Sequence, residues 1–100
     1  MIYLKFKVLI LNLRNRRGIY LFDNTYKGLT SFLMGYQLGI ENSSEIQLSD
    51  EFQNWLRGKF NSHFSIHWSS FIFQELAEKN EQKASVLLLD LLDEFLECKI

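Results

Sequence analysis

His63 and His67 stand four residues apart, a spacing that on a helix puts two imidazoles on one face, as metal sites require. No Glu lies between them, there is no third histidine, and the one cysteine, Cys98, is distant in sequence. Both histidines fall where the pattern suggests a connector, so surface or loop positions are expected for them and no metal site. Nucleophilic catalysis needs a hydroxyl or thiol beside a base. No serine sits in a recognisable nucleophile elbow, and Cys98 has no marked basic neighbour beyond Lys99. The phosphate-cradling patterns GxxxxGK(S/T) and GxGxxG are absent, so no cofactor is implied. Asp90, Asp93 and Glu94 lie close enough on a helix for paired-carboxylate chemistry, but a solvated face is the ordinary state of such a row. The expectation is a binding protein with no catalytic residues, not an enzyme.

The charges are sorted by position. Residues 1–27 hold Lys5, Lys7, Arg14, Arg16, Arg17 and Lys27 against a single acid, Asp23. Residues 41–51 hold Glu41, Glu45, Asp50 and Glu51 and no base. Near the C-terminus Asp90, Asp93, Glu94 and Glu97 recur at helical spacing. A chain with a formal net charge of only -1 can therefore present local fields of both signs, and such fields steer partners. The row Asp90, Asp93, Glu94 and Glu97 is the first candidate surface for a basic partner, and Glu41, Glu45, Asp50 and Glu51 the second. The basic run Arg14, Arg16 and Arg17, with Tyr20 nearby for stacking, suits phosphates. A small nucleic-acid-binding regulator is thus the competing reading, opposed by an isoelectric point of about 6.1 and by the acidic segments.

The elements that must carry these groups follow from periodicity and punctuation. One hundred residues make one domain, 1–100. Apolar residues at 47% and charged residues at 23% exclude disorder, and 15% aromatics supply bulk for a core with some left for an interface. With Cys98 alone, no intrachain disulfide forms, which fits a reducing cytosol. Val8–Leu11 is too short for a signal-peptide core, and no stretch approaches the roughly 20 apolar residues of a membrane span. A soluble, cytoplasmic protein is expected.

Residues 2–16 fit two patterns. Ile2, Leu4, Phe6, Val8 and Ile10 alternate like a strand, while Leu4, Val8 and Leu11 fit a helical face. Gly18 as the residue just past a helix end, after the basic Arg14–Arg17, favours helix. Asp23 or Asn24 then caps a helix whose apolar face is Leu29, Phe32, Leu33, Tyr36 and Ile40. Gly28, Gly35 and Gly39 lie near one stripe of it. Each costs up to about 1 kcal/mol relative to alanine, so a close helix–helix approach is expected there. Asn42-Ser43-Ser44 ends that segment. Ser49 or Asp50 caps a third helix with Phe52, Trp55, Leu56 and Phe60 inward. Trp68, Phe71, Ile72 and Leu76 mark a fourth, broken at Lys79-Asn80. The fifth, Glu81 to Cys98, is apolar over most of its circumference apart from the acidic row, which places it at the centre. The fold class is all-α, a compact bundle of four to five helices. Tyr36 and Trp68 fit the core pattern better than that of interface anchors.

Taken in order, these blocks resemble a known group. Arg14-x-Arg16-Arg17-Gly18-Ile19-Tyr20-Leu21 is similar to an "IRxRPGMYLG"-like segment that follows the first helix in a group of small bacterial proteins. Phe32-Leu33-x-Gly35-Tyr36, Phe52-x-x-Trp55-Leu56-x-x-Lys59-Phe60, Trp68-x-x-Phe71-Ile72 and Leu91-Leu92-Asp93-Glu94-Phe95 then follow in the right order. Arg17 stands where that segment has proline, and Phe22 where it has glycine. Together the blocks touch nearly the whole chain. They resemble small helical immunity proteins of the contact-dependent growth inhibition or polymorphic-toxin kind. The resemblance implies a helical N-terminal segment and a cognate toxin domain, often a basic nuclease acting on RNA, as the partner. It also implies neutralisation by binding in the cytoplasm.

Overall fold

The computed structural model describes the backbone of residues 2–20 and 25–100 and the side chains of 2–15 and 25–100. The described residues form five α-helices and one π-helical segment: α1 (Ile2–Tyr20), α2 (Tyr26–Ser43), α3 (Leu48–Lys59), α4 (Trp68–Phe71), the π segment (Ile72–Leu76) and α5 (Glu81–Lys99). The fold is all-α.

Burial settles the ambiguity of the first segment. Phe6, Ile10 and Leu13, spaced by four and three, are fully buried, whereas Val8, their neighbour in a strand alternation, is 50% exposed. The helix runs through Gly18 to Tyr20, so Gly18 does not follow its end as expected; glycine weakens a helix without forcing it to stop. Thr25 caps α2, its hydroxyl accepting the Gly28 N–H at 2.9 Å. The caps expected at Asp23 or Asn24 lie outside the described residues. Leu29 and Leu33 are buried, with Phe32, Tyr36 and Ile40 packed at the edge of the core. At Gly35 and Gly39 the expected close approach is not made: a Cβ on either would meet nothing within 4 Å. Both glycines turn away from the face of α2 that packs.

At α3 the expected caps, Ser49 and Asp50, are inside the helix, which starts at Leu48 behind Gln47. The physical reason is a substitute from another element. Glu41, at the end of α2, accepts the Ser49 N–H at 2.9 Å and so satisfies a free donor of the first turn. Phe52 and Leu56 are buried and Trp55 half-buried, but Phe60 closes the helix 37% exposed rather than inward.

His67 caps α4 with Nδ1, which accepts the Ser69 N–H at 3.1 Å. Burial holds its imidazole below the ordinary value, in keeping with a neutral acceptor. Past Ile72 the helix widens, and the Ala77 N–H donates to the carbonyl of Ile72 at 2.9 Å, five residues back. Glu78 and Lys79 follow with φ of 53° and 64°, and Asn80 caps α5 by accepting the Lys83 N–H at 2.9 Å.

Helix α5 is central as expected, packing against α1, α2, α3 and the π segment. Its buried residues include Leu88, Leu91, Leu92, Phe95 and Leu96, but Val86 is 61% exposed. An aromatic knot forms the middle of the core: Phe52 meets Trp68 and Phe95, each at 5.4 Å between centroids. Trp68 is fully buried and is a core residue, its indole N–H donating to Ser49 Oγ at 3.2 Å. Tyr36 is half-buried against Phe6, ring centroids 5.0 Å apart. No helix among the described residues is long and apolar enough to cross a membrane.

Candidate acidic interface

The eight acids proposed for partner binding fall into two groups with different surroundings. The first group lies along α5, and the chain itself answers it. Lys7 bonds to Asp93 at 3.0 Å and to Glu97, and Arg14 to Asp90 with its second nitrogen 3.6 Å from Asp93. Lys59 of α3 holds Glu94 at 2.6 Å. These contacts fix α1 antiparallel to α5, with Lys7 opposite Asp93 and Glu97 and Arg14 opposite Asp90. Hydrogen bonds to Glu97 first, and then to Asp93, raise the Lys7 ammonium above its ordinary value. The row is therefore a seam between helices, in which four carboxylates meet three cations. Two of the bases near the start of the chain, Lys7 and Arg14, thus meet three of the acids near its end.

Local spacing presents that row as one face and does not show its partners, which lie 35 to 90 residues away. A signal was present. Lys7 and Arg14 are seven apart, on the same side of a helix, as Asp90, Asp93 and Glu97 are on theirs.

The second group sits where α2 ends and α3 begins. The Glu41–Ser49 bond draws the two ends together into an acidic corner. Glu51 accepts from the Tyr3 hydroxyl at 2.9 Å and pairs with Lys99 at 3.2 Å. Burial raises the Tyr3 phenol above its ordinary value, and the bond to Glu51 adds to the effect. Glu45 and Asp50 are exposed, and neither is within 4.0 Å of a cation among the described residues. Arg57 shares a hollow with Asp50 but is turned to the Phe64 carbonyl at 3.0 Å and the Asn54 side chain at 3.1 Å. Among the described residues the corner therefore keeps four carboxylates with Lys99 as their one close cation. Asp50 and Glu51 also stand in the first turn of α3, where negative charge suits the helix dipole.

An apolar surface adjoins the corner. Met34 and Leu38, 38% and 56% exposed, precede Glu41 at helical spacing on the same side of α2. Neither was picked out by sequence, because the expected apolar face of α2 accounts for Leu29, Phe32, Leu33, Tyr36 and Ile40 without them.

Of the phosphate-binding candidates, Arg14 is engaged in the seam, while the side chains of Arg16 and Arg17 lie outside those described. His63 is exposed, and no group of three His, Cys, Asp or Glu among the described residues is placed to hold a metal ion. Cys98 is exposed. Comparison with protein-family models, with curated proteins and with solved structures finds no match to this chain.

Proposed function

We propose that this chain is an immunity-type binding protein that neutralises a cognate toxin domain, a basic nuclease, through the acidic corner at the α2–α3 junction. The observation that carries this reading is the pair Glu45 and Asp50, exposed and without an ion pair among the described residues, while the α5 acids are answered from within the chain. A cationic partner docking on the α5 seam competes with Lys7, Arg14 and Lys59 for the same carboxylates. At the corner it gains charge-assisted hydrogen bonds without breaking any at Glu45 or Asp50.

Met34 and Leu38 complete the reading. Interfaces combine an apolar centre with a polar rim, and a methionine and a leucine beside carboxylates have that composition. An acidic surface over a basic phosphate-binding cleft mimics the charge of the substrate and supplies no bond to cut. Attraction at long range raises the encounter rate, which matters against a toxin that acts catalytically. The ordered sequence blocks that resemble helical immunity proteins support the same reading.

The test is co-expression with the C-terminal domain of the toxin-like protein encoded next to this chain, scoring growth and co-purification. Rescue with a stable stoichiometric complex supports it. Continued toxicity with no complex counts against it and moves nucleic-acid binding by the basic N-terminal segment to the front.

A further inference from the structure

A hollow of about 390 Å³ opens between the start of α2, α4 and the π segment, at the far end of α2 from the acidic corner. Its apolar wall is the stacked pair Tyr26 and Phe73, with centroids 5.7 Å apart and planes 20° apart. Tyr26 is held at both ends: its hydroxyl donates to the Ser69 carbonyl at 2.7 Å and its N–H to Glu81 Oε1 at 2.7 Å. Lys27 and Glu81 bring one cation and one anion to the lining, with the Ser70 hydroxyl and the Gln74 amide beside them. Neither Lys27 nor Glu81 forms an ion pair among the described residues, and Glu81 has Oε2 to spare.

The backbone around the hollow is unusual as well. Phe73 and Gln74 belong to the π segment, a geometry that recurs at functional sites. Behind it, Glu78 and Lys79 are successive non-glycine residues at positive φ, a conformation that persists where surrounding structure imposes it.

We propose that this hollow binds a free α-amino acid with an aromatic side chain. Its volume is at the small end for ligand pockets, enough for one ring and a compact polar head. A simple anion would meet Glu81, and a simple cation would meet Lys27. A zwitterion satisfies both, its carboxylate on Lys27 and its ammonium on Glu81, while the ring packs on Phe73. The site is independent of the toxin-binding reading.

Titration calorimetry of the full chain with L-phenylalanine, L-tyrosine and L-tryptophan tests the proposal, with phenylalaninamide and N-acetylphenylalanine as controls lacking one charge each. At least one free amino acid should bind saturably at one per chain, and both blocked compounds at least about tenfold more weakly. Lys27→Met and Glu81→Gln should each weaken binding by a similar factor with the circular dichroism unchanged. Lys27 is exposed, and the amide oxygen of Gln can still accept the Tyr26 N–H. No saturable binding up to about 10 mM overturns the proposal. So does equal binding of the blocked compounds, which would make the hollow a seat for an uncharged ring such as a partner protein's side chain.

Discussion

Two acidic regions of similar size differ in what faces them. Along α5, Asp90, Asp93, Glu94 and Glu97 are met by Lys7, Arg14 and Lys59; at the α2–α3 junction, Glu45 and Asp50 stand without a close cation among the described residues. Charge sorted along a sequence is not charge sorted in space. Antiparallel packing of the first and last helices sets Lys7 and Arg14 from one charged segment against Asp90, Asp93 and Glu97 from the other. The corner keeps its field because its acids lie on adjoining elements with no base between them. The α5 row is tied into the fold by its ion pairs, and the proposed interface rests on the corner, where Glu45 and Asp50 have no such tie among the described residues.

The largest difference between the regions should appear in stability. Asp93 touches both Lys7 and Arg14, so Asp93→Lys sets three cations together and should lower the melting temperature by about 4–8 °C. Glu45→Lys should change stability by no more than about 0.5 kcal/mol. Thermal unfolding of both variants checks the contrast, and equal losses would break it.

Glu41 sharpens the comparison inside the corner itself. Glu41→Ala leaves the Ser49 N–H without its acceptor and should cost about 1 kcal/mol, as removal of a helix cap does, by urea denaturation. Glu41 thus holds the corner together, while Glu45 and Asp50 remain available.

Alkaline pH separates the regions next. The Lys7 ammonium is raised above its ordinary 10.5 in the fold, so its stabilisation is whole below that pH and fades as pH climbs through the higher folded value. Burial raises Tyr26 and Tyr36 as well, and their effect runs in the same direction above pH 10. Comparing wild type with Lys7→Met isolates the seam: wild type should lose more stability above pH 10.5, whereas an Asp50→Asn variant should follow wild type. The smallest effect concerns one surface pair. A double-mutant cycle on Arg14 and Asp90 should give a coupling under about 1 kcal/mol that shrinks as salt is added.

Much of the fold was legible in local pattern. The apolar circumference of α5 marked it as central, and the breaks at Asn42–Ser44 and Lys79-Asn80 fell where helices end or begin. Period alone could not divide strand from helix over 2–16, because Leu4, Val8 and Leu11 form a second apolar row that the fold leaves 40%, 50% and 42% exposed. Caps supplied from a distance were hidden for a related reason: the donor at Ser49 is satisfied by Glu41, eight residues earlier. Gly35 and Gly39 suggested a close approach that the described helices do not make. The candidate site was legible as a list of acids and illegible as a surface. Pairing across 76 to 90 residues depends on which helices become neighbours, which local spacing does not encode.

The most direct test is the dissociation constant for the co-purified toxin domain, measured by calorimetry with two paired charge reversals. Glu45→Lys with Asp50→Lys should raise Kd at least about 100-fold at an unchanged melting temperature. Asp90→Lys with Glu97→Lys should lower the melting temperature and leave Kd within about threefold. The opposite pattern, with binding lost on the α5 row and kept at the corner, would contradict the assignment of the interface.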